Sequence, residues 1–240
     1  MKNIISDSFG IFYREFTKIF LLSILTYVPL LLIHAFLVNY IYLETQFTEY
    51  PGLLGDAANG IFMLVFLTIA QVPFIKFTLL EVEGEDDPLK RSLSFSLDKA
   101  IPIYLFGCIY ALLVFLGGLL FVIPGLVILL MLYFVPFFIA DNAKSFRTAI
   151  KKSVRFFRKN WLKAFLLIIL LTIIQLSFEN ILLFFLSFYT NAYFTLLITK
   201  IILLMLLLPL QTIIMTNVFN KWKAMPVRRV RNSRNLYLKS

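Results

Sequence analysis

The stretch Ile101–Ala140, IPIYLFGCIYALLVFLGGLLFVIPGLVILLMLYFVPFFIA, contains no charged residue. As a single helix, at about 1.5 Å per residue, it would reach about 60 Å, twice the ~30 Å hydrocarbon core of a bilayer. It must therefore fold back. Gly117, Gly118, Pro124 and Gly125 supply the break, because glycine tolerates a tight reversal and proline cannot continue a helical ladder. The turn carries no charge, so it is expected to sit shallowly at the interface as a hairpin, with a re-entrant loop as the lesser alternative.

Composition points the same way. Of 240 residues, 60% are hydrophobic and 27 are phenylalanine, and the mean hydropathy is +0.89. A soluble domain is closer to ~45–50% apolar, so part of the solvent must be lipid. Four further segments reach the length of a crossing: Ile19–Leu43, about Gly60 to Leu80, about Leu162 to Leu186, and about Phe194 to Val218. With the folded-back block they make six spans. The N-terminal stretch is interrupted by Asp7, Arg14 and Glu15 and has no small-residue cleavage site, so it is not read as a signal peptide. Cys108 is the only cysteine, which excludes an intramolecular disulfide framework.

The net charge of +10 is distributed in alternation. Lys2, Arg14 and Lys18 precede the first span. Lys90, Arg91 and Lys99 lie between the second and third, Lys144 to Lys163 between the fourth and fifth, and Lys221 to Lys239 after the sixth. The remaining connections hold only Glu44, Glu49 and Asp56, or no charge at all. Basic residues collect on the cytoplasmic side, so both termini are expected there.

The basic segments resemble one another. With Ser8, Ser92 and Ser153 in register, Ile5, Leu89 and Ile150 stand three positions earlier. Phe9, Leu93 and Val154 follow one position later, Phe16, Ala100 and Trp161 eight later, and Phe20, Tyr104 and Phe165 twelve later. Pro73, Pro136 and Pro209 fall in the second span of each pair. The expected fold is an all-α membrane protein of six transmembrane helices in three hairpins, each preceded by a cytoplasmic interfacial amphipathic helix. The repeats would be 1–83, 84–143 and 144–222, followed by a basic tail, 223–240. Such internal repeats are common in membrane proteins.

The most basic segment tests this reading. At ~100° per residue, Phe146, Ala149, Ile150, Ser153, Val154, Phe157 and Trp161 share one arc. Lys144, Arg147, Lys151, Arg155, Arg158 and Lys159 face away, and Asp141 and Asn142 stand where a cap would serve. A helix of this kind lies in the interface and attracts anionic lipid head groups, at about 1 kcal/mol per basic residue. A nucleic-acid partner is excluded by the greasy opposite face and the absence of a recognition motif.

The acidic run Glu81–Asp87 lacks calcium-loop spacing and reads as a solvated turn against the neighbouring basic helix. His34 has no Cys/His/carboxylate company, and no metal or cofactor is expected. Within the spans, Glu179 and Lys200 lie at similar depth, about 27–30 Å from Trp161 and Asn220 at ~1.5 Å per residue. They are read as an intramembrane pair, structural or facing an outer cavity. Lys76 snorkels from the second span. Gln71 and Gln211 are expected to serve backbone groups freed by Pro73 and Pro209. No GxSxG, HExxH or Walker sequence is present.

The stretch from Gly117 to Trp161 carries a further pattern: Ile123-Pro124-Gly125, an apolar span, Asp141, Ala149 to Ser153, then Asn160-Trp161. This resembles a broad group of bacterial membrane proteins, similar to the membrane domain attached to some glycerophosphoryl diester phosphodiesterases and to YciC-type inner-membrane proteins. The clear match covers about one fifth of the chain. It implies a six-helix protein of the bacterial cytoplasmic membrane and no phosphodiesterase activity, since the chain has no room for a hydrolase domain. The expected function is non-catalytic: a structural, lipid-interacting or accessory role, in envelope stress or protection against membrane-active compounds. The alternative is a transporter or permease subunit moving a small solute or lipid. A homo-oligomer or membrane partner protein is left open.

Overall fold

A computed structural model describes residues 2–190 and 192–224; the expected tail beyond 224 lies outside them. Among the described residues every regular element is helical: α1 Lys2–Arg14, α2 Phe16–Thr45, α3 Pro51–Glu83, α4 Pro88–Asp98, α5 Ala100–Leu120, α6 Val122–Leu132, α7 Val135–Ala140, α8 Phe146–Ser187 and α9 Tyr193–Ala224. Six segments are long and apolar enough to cross a membrane: α2, α3, α5, the α6–α7 pair, α8 and α9. Local sequence explains the boundaries. Pro51 and Pro88 occupy first helical positions, where no N–H is needed. Gly84 closes α3 in the left-handed region at φ 69°.

The uncharged block does fold back, but its glycines act differently from the sequence expectation. The one extended residue is Phe121 (φ −160°, ψ 148°). Gly117 and Gly118 remain in the last turns of α5, and Pro124 and Gly125 are in the first turn of α6. None of these three glycines has a positive φ. Gly117 and Gly125 serve close approach instead. A Cβ on Gly125 would lie 2.7 Å from Gly118 N and 3.0 Å from Val114 O, and one on Gly117 would lie 3.0 Å from Gly125 Cα.

The short helices α1 and α4 and the first half of α8 enter their spans through kinks. Glu15 (φ −105°, ψ 22°), Lys99 (φ −103°, ψ 6°) and Asn160 (φ −124°, ψ 19°) leave helical geometry. Each stands seven positions after Ser8, Ser92 or Ser153, and all three serines are fully buried. Ile4, Pro88 and Ala149, four positions before them, are buried too. So are Ile19, Ile103 and Ala164, eleven after, and Leu22, Phe106 and Leu167, fourteen after. The apolar positions aligned in the sequence are mixed: Ile5, Phe9, Phe16, Phe20, Tyr104 and Trp161 are exposed, whereas Leu89, Leu93, Ala100, Ile150, Val154 and Phe165 are half-buried.

Prolines and helix ends free backbone carbonyls, and in hydrocarbon these need protein partners. Pro209 cannot serve Met205 O; Ser23 Oγ on α2 reaches it at 3.1 Å while also bonding Ile19 O at 2.9 Å. At the break between α6 and α7, Ser153 Oγ donates to Met131 O (2.7 Å) and Tyr110 OH to Leu129 O (2.8 Å). Gln211 does not serve the proline on its own helix; its amide donates to Leu171 O on α8, 2.9 Å away.

The end of the bundle holding the termini is tied by aromatics and ion pairs. Phe134, Phe137, Phe138, Phe156 and Phe219 pack with ring centres 4.8–6.2 Å apart. Asn217 on α9 donates to Ser8 Oγ on α1 (2.8 Å), which brings both ends of the described chain to one side. Arg14 pairs with Glu81, Arg91 with Glu85, and Lys223 with Asp141. The Lys18 ammonium, helped by Arg14 and against partial burial, holds the Glu15 carboxyl below its ordinary value. Lys76 Nζ donates to Ala140 O at the end of α7, where a cation complements the helix dipole.

Three substitutions test this packing. Gly125→Ala forces backbone apart and should destabilise the protein by about 1–3 kcal/mol. Gly118→Ala, whose Cβ meets nothing within 4 Å, should be tolerated; thermal unfolding in detergent measures both. Ser153→Ala strands Met131 O and should cost about 1–3 kcal/mol in the same assay.

Candidate functional site

Two places carry the polar chemistry. The first is the outward face of α8 before its kink. Ser145, extended at φ −156°, caps the helix by accepting from Thr148 N (3.3 Å). Asp141 and Asn142 do not: Asp141 is engaged with Lys223, and Asn142 sits at φ 59°. Ala149, Ser153, Phe156 and Phe157 are buried. That face is turned toward Phe156 relative to the sequence arc because its neighbours are α7 and α9. Phe156 packs edge-on against Phe134 and Phe138 and at a tilt against Phe219. The apolar side therefore docks on protein, while Trp161, just past the kink, remains exposed.

Lys144, Arg147, Lys151, Arg155, Arg158 and Lys159 are all exposed, and from Arg147 onward they recur at helical spacing. Lys152 is exposed beside them, its ammonium 5.9 Å from the Phe138 ring centre. Sequence reasoning omitted it, although its position adjacent to Lys151 was visible.

The second place is at the opposite end. Lys200 Nζ lies 2.8 Å from Glu179 Oε1; the Glu179 side chain is 10% exposed and that of Lys200 48%. They line a cavity of about 610 Å³ bounded by α2, α3, α8 and α9. His34 faces it, its Nε2 3.5 Å from Asn59 O, and Asn39 donates to Tyr193 OH at 2.7 Å on its edge. A second cavity of about 320 Å³ continues toward mid-bundle, with Met63, Gln175 and Leu176 in both walls. Its lining includes Tyr27, Gln71, Tyr110, Gln211 and Thr212. Phe74, Phe134 and Phe219, none of which lines either cavity, are fully buried in the bundle. Among the described residues no group of three His, Cys, Asp or Glu side chains converges as a metal site.

α8 is peripheral, with 11% of its most apolar window buried against 44% for α3 and α9. The Glu179–Lys200 pair is thus one of the few polar ties between α8 and α9. Lys200→Met should lower the unfolding midpoint more than Glu179→Gln combined with Lys200→Met, because only the single change strands a carboxylate in a largely buried site. A double-mutant cycle of thermal melts measures the difference.

Neither a curated protein nor a solved structure matches the chain. A family model does, over residues 92–224, just over half of the chain. It begins at Ser92 and takes in α5 to α9, with the basic face of α8 and the Glu179–Lys200 pair. It makes no link to glycerophosphoryl diester phosphodiesterase membrane domains or YciC-type proteins. The chain belongs to the family described as a domain of unknown function, DUF7847.

Proposed function

We propose that this protein is a non-catalytic, multi-pass protein of the bacterial cytoplasmic membrane that gathers anionic lipid at the side of its termini. The observation that carries this reading is the exposed row Arg147, Lys151, Arg155, Arg158 and Lys159, on a helix whose other face is buried in the bundle. A helix fixed in this way presents its charges to head groups without having to insert its apolar side. That leaves the electrostatic attraction, ~1 kcal/mol per basic residue near the surface.

The same reading takes the three kinked segments as interfacial helices leading into three hairpins. The matching positions of Glu15, Lys99 and Asn160, and the burial of the same registers around them, support a threefold repeat. The charge alternation supports cytoplasmic termini. The bacterial setting and the phosphodiesterase-type or YciC-type likeness rest on the motif from Ile123 to Trp161. An accessory role in envelope protection would follow from lipid organisation at this face. The permease reading would rest on the polar-lined cavities at the other end and is kept as the alternative. No soluble anionic partner is needed to account for the charge.

Trp161, two residues beyond the end of the basic row at Lys159, offers a reporter. With Trp222→Phe leaving it as the only tryptophan, brominated phosphatidylglycerol should quench it more than brominated phosphatidylcholine. The excess should fall as salt rises and the Debye length shrinks from ~10 Å at 0.1 M to ~3 Å at 1 M. It should vanish when Arg147, Lys151, Arg155, Arg158 and Lys159 are replaced by Gln. Equal quenching by the two lipids in the unaltered row would refute the proposal.

A further inference from the structure

The chamber at the far end has features that the lipid-surface reading does not use. Its upper and lower cavities, about 610 and 320 Å³, adjoin at Gln175, and the larger falls within the range of small-molecule sites. Gln175 and Gln71 face this space, and among the described residues neither has a hydrogen-bond partner. Amides at this depth in a membrane protein require one. An occupant with polar groups would supply it.

The charges narrow the chemistry. Glu179 and Lys200 are the only carboxylate and the only ammonium in the lining of either cavity, so the site is neutral overall. A ligand of a single sign would match one of them and strand the other in a poorly solvated place, which is costly. A ligand bearing both signs within a few ångströms can open the pair and serve both members, ammonium to Glu179 and anionic oxygen to Lys200. Around them Leu31, Leu183, Leu196, Leu197 and Leu204 offer a hydrocarbon wall.

We propose that the chamber binds the zwitterionic head of an amphiphile, a primary ammonium beside an anionic oxygen, with the attached hydrocarbon against the leucine wall. Two sources share this chemistry: an ethanolamine phospholipid from the bilayer, and a free amphiphilic amino acid such as leucine. The site lies at the opposite end from the basic row, so its success or failure is independent of anionic-lipid gathering there.

The test uses the full-length protein in an uncharged maltoside detergent, with thermal unfolding as the readout. The additions are dihexanoyl phosphatidylethanolamine, L-leucine, and two single-sign controls, dihexanoyl phosphatidylglycerol and leucinamide. At least one zwitterion should raise the midpoint saturably by several degrees, and the controls should not. A response to the phospholipid alone assigns the site to a lipid head group; a response to leucine, alone or with the phospholipid, assigns it to a free solute. The shift should be lost in Glu179→Gln/Lys200→Met and reduced in Gln175→Leu, which leaves the ion pair intact. The proposal is overturned if neither zwitterion shifts the midpoint, if the controls shift it equally, or if the double variant responds undiminished. If the double variant aggregates, Gln175→Leu decides alone, and an unchanged shift there overturns the proposal.

Discussion

A backbone carbonyl that loses its helical partner inside hydrocarbon has no water to accept from, and this bundle is organised around that constraint. Ser23 reaches the carbonyl freed by Pro209, while Ser153 and Tyr110 reach carbonyls where α6 ends. Each bond also joins two helices: α2 to α9, α8 to α6, and α5 to α6. Gln211 adds a tie from α9 to the otherwise peripheral α8. Apolar contact alone does little to hold helices together when lipid is equally apolar; close packing and interhelical hydrogen bonds specify the partners. The Gly117–Gly125 approach and the serine bonds are both of that kind.

The same devices position the two polar places. Ser153 fixes the first half of α8 against the α6–α7 break, so the opposite stripe of lysine and arginine must face outward. The kink at Asn160 then lets the helix turn from that docked course into an apolar span. At the far end, α2, α3, α8 and α9 bound the chamber, and the Glu179–Lys200 pair is part of its wall. The bundle is thus strongly basic at one end, while the other holds the Glu179–Lys200 pair and the carboxylates Glu44, Glu49 and Asp56.

Much of this was legible in the sequence for physical reasons. Six crossings follow from run length, and the fold-back of Ile101–Ala140 follows from bilayer thickness. The depth arithmetic put Glu179 and Lys200 at one level, and their side chains are 2.8 Å apart. What stayed hidden depends on neighbours. Gly117, Gly118 and Gly125 look like turn residues because hairpin turns and helix contacts both favour glycine; only the distance to the facing backbone separates the two. The cap at Ser145 was missed because Asp141 is an equally good capping residue until Lys223 claims it. Phe156 was left out of the apolar arc because that arc was centred on a flat lipid surface. The bundle instead offers Phe134, Phe138 and Phe219 on one side. Matching by apolar identity mixed exposed with half-buried positions, whereas the registers that recur in burial, at Ile4, Ser8, Ile19 and Leu22 and their counterparts, combine serine, proline, alanine and large apolar residues.

The central claim is that α8 changes character at Asn160, from a helix docked on protein with its charges at the head groups to a helix crossing hydrocarbon. Spin labels at single cysteines along residues 147–174, in a Cys108→Ser background reconstituted in vesicles, test it directly. The account predicts that a water-soluble nickel complex reaches labels at Arg147, Lys151, Arg155 and Arg158 but not at Ser153. Oxygen should dominate at Leu166, Leu170 and Ile173. Nickel accessibility at Leu166 to Ile173 equal to that at Arg155, or oxygen-dominated labels along the basic row, would contradict it.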